Sequence, residues 1–241
     1  MKIAIFGDSI SEGIGKRKYN YADLIPTYLD QKGIEESVEI VNFAHTGTTI
    51  RYLYDLSNTI NFDFDYIVVA YGNVDGMLRP DLMHKPNYFR YLPNRYKQNG
   101  MLNPRPYYSS RFFKSLFQHI DSLFRWNLNR LLLFLQGTTT WISTSEFANK
   151  LDELIAMMKN SNANVILVST VKVSDKFFPG TNSSYEKFNE IIQRCASKNN
   201  CKYVDLYHML DLKKDFYEDC FHPNIEGYKC IAELIVDNIN F

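Results

Sequence analysis

The chain has 241 residues, 45% of them hydrophobic, and its 27 Lys and Arg balance 27 Asp and Glu. That apolar share is enough for one substantial core and too high for a disordered segment, while the charge balance gives no global attraction to nucleic acid. No stretch approaches the apolar length needed to cross a bilayer. One domain spanning residues 1–241 is expected. The N-terminal apolar run is too short for an export signal, which points to a reducing, cytoplasmic setting.

In chain order, residues 2–6 form the first apolar run and read as a strand, ending directly in Gly7-Asp8-Ser9-Ile10. Similar runs rich in Ile, Val, Tyr and Phe follow at 38–43, 66–70, 164–169 and 202–206. They lack the polar alternation of a sheet with one wet face, so both faces are expected to be covered. Helical patterns fall between them at 21–31, 49–57, 145–160, 182–199 and 224–238. Alternating strands and helices imply α/β architecture: a three-layer α/β/α sandwich around a central parallel five-stranded sheet, with right-handed crossovers.

In open sheets of this kind ligands bind beyond the carboxyl ends of the strands. Ser9 follows the first strand, Gly47 the second, Asn73 and Asp75 the third, and Asp219 and His222 the fifth. All candidates therefore share one edge. Each motif has a plainer reading when taken singly. Gly-Asp-Ser is ordinary turn composition, Gly47 suits a simple turn, and Asp219-Cys220-Phe221-His222-Pro223 could merely cap the last helix, with Pro223 near its start. Together they supply what serine acyl transfer needs: a hydroxyl, an imidazole to take its proton, and a carboxylate to fix the imidazole's tautomer. His208 is an alternative base without a comparable loop context.

With these blocks in place the chain resembles the SGNH (GDSL-like) hydrolases, through Gly7-Asp8-Ser9-Ile10, the glycine of Asn42-Phe43-Ala44-His45-Thr46-Gly47, and Asp219-x-x-His222. The remaining family block, Gly-x-Asn-Asp, aligns with Gly72-Asn73-Val74-Asp75 and so places Val74 where the family has its oxyanion asparagine. The resemblance covers residues 1 to about 75 and about 145 to the end. It implies the flavodoxin-like fold of that family and a catalytic set of Ser9, Asp219 and His222. The oxyanion hole would comprise the amides of Ser9 and Gly47 with Asn73 acting from one position early. Asp8, Asp75 and Arg79 are candidate substrate contacts, although an Asp75–Arg79 ion pair is the plainer assignment for the last two.

The implied activity is serine-dependent hydrolysis of small acyl esters, such as acetyl, on a carbohydrate, without cofactor or metal. An O-acyltransferase using the same triad is the alternative, and relatives with comparable insertions act in bacterial surface-polysaccharide assembly. A catalytically retired binding scaffold is a third reading, with Val74 as its main support and the intact Ser9, Asp219 and His222 against it. Cys195, Cys201, Cys220 and Cys230 match no paired metal-binding spacing and are expected as free thiols.

The helical insertion at about 77–144 stands apart. It carries ten basic side chains against Asp81 and Asp121, which makes it eight positive and the rest of the chain eight negative. Its first half, with Tyr88, Phe89, Tyr91, Tyr96, Tyr107 and Tyr108, reads as an irregular lid; its second half has apolar residues at helical spacing. Three roles are open: a helix packed on the core, a glycan platform of tyrosines and arginines, or peripheral membrane contact through residues 109–136. The dispersed basic residues match no nucleic-acid-binding module. The oligomeric state has no signature in these residues.

Overall fold

In a computed structural model of the chain, residues 1–14, 20–34, 37–97 and 102–239 are described; part of the insertion, 98–101, lies outside them. Strand β1 (Lys2–Gly7) leads into the single turn α1 (Ser9–Glu12), followed by α2 (Ile25–Gln31), β2 (Glu39–Asn42), α3 (Ile50–Leu56), β3 (Tyr66–Ala70) and the short turn α4 (Asn73–Gly76). The insertion opens with β4 (Arg79–Pro80), passes through two 3-10 turns at Tyr88–Tyr91 and Asn94–Tyr96, and continues as the long helix α5 (Phe112–Gln136). It closes with β5 (Thr138–Thr139), antiparallel to β4. The core then resumes with α6 (Thr144–Asn160), β6 (Asn164–Val168), α7 (Thr181–Lys198), β7 (Lys202–Val204), α8 (Leu206–Met209) and α9 (Ile225–Val236).

The five long strands form one parallel sheet in the order β2-β1-β3-β6-β7. Alternate β1 side chains divide between its faces. Ile3 and Ile5 pack with Ile25 and Leu29 of α2 and Ile231 and Ile235 of α9. Ala4 and Phe6 pack with Ile50 and Leu53 of α3 and Leu154, Ile155 and Met158 of α6. All these side chains are fully buried. Each large aliphatic among them contributes about 1.5–3 kcal/mol by leaving water, so burial on both faces accounts for the absence of polar alternation.

Element boundaries depart from the expected ones for local reasons. The helix expected from 21 begins at Ile25 because 21–24 form a turn, and Pro26 occupies the first helical turn, where no donor is needed. The strand expected through 206 stops at Val204, since the Asp205 carboxylate caps α8 by accepting from the His208 amide at 3.3 Å.

Helix α5 is inverted relative to an ordinary surface helix. Phe113, Leu116, Phe117, Ile120, Phe124 and Phe134 are exposed, with Phe134 at 86%, whereas Ser122, Asn129 and Gln136 are buried. The inner polar groups hold the insertion together: Ser122 Oγ accepts from the Arg105 amide, and Gln136 accepts from the Phe89 amide and donates to the Asp81 carbonyl. Trp126 fastens the helix to the body by donating to the Lys176 carbonyl at 2.8 Å. Most of the apolar stripe therefore faces outward, which goes against the first of the three roles open to it, a helix packed on the core.

Candidate active site

The nucleophile candidate is placed by the sharp exit from β1. Asp8 caps α1, its Oδ1 accepting from the Ile10 amide at 3.0 Å, so Ser9 becomes the first helical residue. Below it, a Cβ on Gly7 would lie 2.3 Å from Ser11 Oγ, so only glycine allows α1 to fold back this tightly. Ser11 Oγ in turn accepts from the Tyr21 hydroxyl at 2.8 Å, fixing the underside of the turn.

The 215–224 loop brings in the other two groups. Asp219 is 1% exposed, and its Oδ1 accepts from the amides of Phe221 and His222, both at 3.1 Å. Its Oδ2 lies 2.5 Å from His222 Nδ1, and His222 Nε2 lies 3.0 Å from Ser9 Oγ. A carboxylate only accepts, so Nδ1 carries the proton and Nε2 presents its lone pair to the Ser9 hydroxyl. Phe221 packs edge-on to the imidazole at 4.7 Å and against Phe178 at 5.7 Å. Outside, the Asn224 amide donates to the Asp215 carbonyl at 2.8 Å. Gly227 lets α9 abut that same carbonyl, where a Cβ would come within 2.2 Å.

Gly47 adopts φ 73°, which suits glycine, and lies in a loop tied to α1. The Asn42 side chain donates to the Ser11 carbonyl at 2.8 Å, and the Thr46 amide donates to Glu12 Oε2 at 2.5 Å. Among the described residues no acceptor takes the amides of Ser9 or Gly47. Both residues line a cavity of about 260 Å³ with Thr46, Val74, Trp141, Phe178 and His222.

Four expected site residues, Asn73, Asp8, Asp75 and Arg79, are placed off the wall of that cavity. Asn73 is 3% exposed; its Oδ1 accepts from the Val171 amide at 2.9 Å, and its side chain lies beside the Asp8 carboxyl. Val74 is the member of that block on the cavity wall. Asp8 and Asp75, expected against substrate, are fully buried. Asp75 is held by the amides of Ile50 at 2.8 Å and Gly72 at 2.9 Å, which brace α4 and α3, and among the described residues it has no ion pair with Arg79. Arg79 instead stacks on Trp141 at 3.9 Å and lines a neighbouring cavity with Leu78, Pro80 and Tyr96.

Burial pushes the Asp8 carboxyl up to about 6, against the opposing effects of the Ile10 amide and His222. It pushes Asp75 up to about 7, opposed by the Ile50 and Gly72 amides. Although Asn73 and the Val74 amide lower the proton affinity of Asp8, no donor reaches its Oδ2 in full hydrogen-bond geometry among the described residues. Sequence reasoning did not single out Trp141, Phe178, Arg105 or Arg125 as cavity residues. The composition of the insertion was the available signal for three of them, because Arg105, Arg125 and Trp141 all come from it.

The fold recurs in solved structures at low sequence identity. LAE5, described as an alpha/beta hydrolase enzyme from the metagenome of Lake Arreo, Spain, superposes with TM-score 0.63 and 19% identity over 100% of this chain and 96% of its own. The lipase/acylhydrolase from Enterococcus faecalis gives 0.64 and 17% over 98% and 93%. Axe2, an acetylxylan esterase from Geobacillus stearothermophilus, gives 0.63 and 15% over 100% and 94%. No curated protein matches the chain by sequence. A family model does match across residues 5–230, and the chain belongs to the GDSL-like lipase/acylhydrolase family.

Proposed function

We propose that this protein is a serine carboxylester hydrolase that removes small acyl groups such as acetyl from a carbohydrate. The observation that carries the reading is the position of His222, with Nε2 at 3.0 Å from Ser9 Oγ and Nδ1 at 2.5 Å from Asp219. Ser9 Oγ attacks the ester carbonyl carbon while its proton passes to His222 Nε2. The bond from carbon to the alcohol oxygen breaks, and the alcohol leaves with that proton. Water then attacks the acyl-serine, gives a proton to His222, and expels the carboxylic acid as Ser9 regains its hydrogen. The Ser9 and Gly47 amides are suited to receive the negative oxygen in both halves.

The carbohydrate assignment draws support from Axe2, described as an acetylxylan esterase. An acyltransferase would share the first half-reaction and differ only in taking a sugar hydroxyl in place of water. Acetylated xylo-oligosaccharide is expected to release free acetate at a rate unaffected by added unacetylated sugar. Acetate transfer to that sugar would select the transferase, and no release from any acetyl ester would select the retired scaffold.

We also propose that α5 lies on an anionic bilayer. Its outward aromatic and aliphatic face has the composition of an interfacial helix, and Arg111 just before the helix and Lys114 and Arg130 on it are exposed. A second copy on this face would bring two strongly basic insertions together, whereas anionic headgroups complement them. Flotation with phosphatidylserine-containing vesicles is expected to carry the protein, and Phe113→Ser/Phe117→Ser to abolish it. Equal flotation of both proteins, or a dimer that Phe117→Ser dissolves, would overturn this.

A further inference from the structure

The cavity that holds Ser9 and His222 is flanked on the insertion side by two arginines, Arg105 and Arg125. They share a single carboxylate: Asp121 Oδ2 lies 2.7 Å from Arg125 and 3.6 Å from Arg105. The Nε atoms of both are buried and have no acceptor among the described residues, and Asp121 Oδ2, though close to both, receives no hydrogen bond in full geometry. The Arg125 side chain is 16% exposed and the Arg105 side chain 39%, so Arg105 also presents donors to the solvent-filled side of the cavity, where a carboxylate or phosphate oxygen can reach them. Here two cations lean on one anion, with hydrogen-bonding capacity left over.

Their positions are built in. Arg105 stands between Pro104 and Pro106, and its amide donates to Ser122 Oγ at 3.1 Å, which fixes the strap to α5. Arg125 is held one turn along from Asp121 and lies 5.9 Å over the Tyr96 ring. The same two arginines also line an outer basin with Arg95, Lys114, Phe117, Gln118 and Asp121, where four basic side chains outnumber one acidic one. The portion of a substrate that extends from the reacting carbonyl towards the insertion meets a net positive surface, with Asp121 its one acidic side chain in that basin.

We propose that Arg105 and Arg125 form an anion subsite for a carboxylate or phosphate on the sugar portion of the ester, so that the preferred substrates are acyl esters of acidic saccharides. This deepens the carbohydrate-esterase reading and rests on it. Planar guanidinium forks match carboxylate and phosphate oxygens in pairs, and Arg105, the less committed of the two, has donors free to do so.

The test uses matched pairs that differ in charge: an O-acetylated methyl glucuronoside against its glucuronamide, and an O-acetylated methyl glucoside 6-phosphate against the unphosphorylated glucoside. The wild type is expected to favour the acid of at least one pair by about tenfold or more in kcat/KM, mainly through KM, as a bidentate ionic contact provides. Which pair shows the preference distinguishes carboxylate from phosphate. Arg105→Gln, which leaves the Asp121–Arg125 pair in place, should bring the ratio close to one; Arg105→Lys should give an intermediate ratio, and Lys202→Gln, on the amino end of β7, should keep the wild-type ratio. Calorimetric binding of the same compounds to Ser9→Ala reads the subsite without turnover. Equal affinity for the charged and neutral members of both pairs would overturn the subsite whatever the activity, whereas tighter binding of an acid without Ser9-dependent hydrolysis would keep the subsite and reject the esterase reading.

Discussion

Replacing Ser9 by Ala is expected to lower kcat towards 4-nitrophenyl acetate by on the order of 10⁶-fold, and His222→Ala to cost about as much, because a nucleophile and its base act as one unit. The double variant should be no worse than either single one. Ser9→Ala removes no core contact, since Ser9 contributes a hydroxyl to the cavity wall and the backbone of its turn is capped independently by Asp8, whereas His222→Ala also takes the imidazole from Phe221 and Asp219. The Tm of Ser9→Ala should therefore stay close to that of the wild type. Asp219→Ala is less clean, since the same carboxylate accepts from the Phe221 and His222 amides and shapes the loop. Additive losses in the Ser9/His222 double variant would show that the two residues do not work in one step.

The second large effect is a gain. Val74 lines the cavity beside Ser9 and Gly47, whereas Asn73 is committed to Val171 and lies beside Asp8 beneath the site. In the proposed mechanism the oxyanion has two backbone donors and an apolar wall. An oxyanion-hole side-chain donor is typically worth about 2.7–4 kcal/mol, or about 10²–10³-fold in kcat. Val74→Asn is expected to raise kcat on small acetyl esters by up to that factor, with little change in KM. Asparagine is close to valine in size, and Val74 is 9% exposed at the cavity edge, so its new amide is not trapped in the core. An unchanged or lower kcat in a folded Val74→Asn protein would mean that another group already stabilises the oxyanion. Asn73→Ala, by contrast, should act chiefly through stability, by leaving the buried Val171 amide without its acceptor.

The strands and long helices were legible because both rest on apolar periodicity, and β1, β3 and β6 bury nearly every side chain. The short turns α1, α4 and α8 have no room for a period, so they were invisible although α1 carries Ser9 and α4 carries Asn73. The grouping of Ser9, Asp219 and His222 could be read from topology, since all three follow parallel strands at one sheet edge. Which of Asn73 and Val74 faces the cavity could not. That depends on one turn of helix, which the Asp75 carboxylate fixes through the Gly72 and Ile50 amides. The direction of the α5 stripe was equally hidden. Helical spacing states that two faces differ, and only the partners of Ser122 and Gln136 state which one points inward.

The most direct test of the central claim is intact-protein mass after treatment with a small fluorophosphonate, comparing wild type, Ser9→Ala and His222→Ala. One adduct on the wild type, absent from Ser9→Ala and strongly slowed in His222→Ala, is the predicted result. A folded wild-type protein that takes no adduct, or an adduct that survives in Ser9→Ala, would contradict an activated Ser9 and with it the hydrolase mechanism.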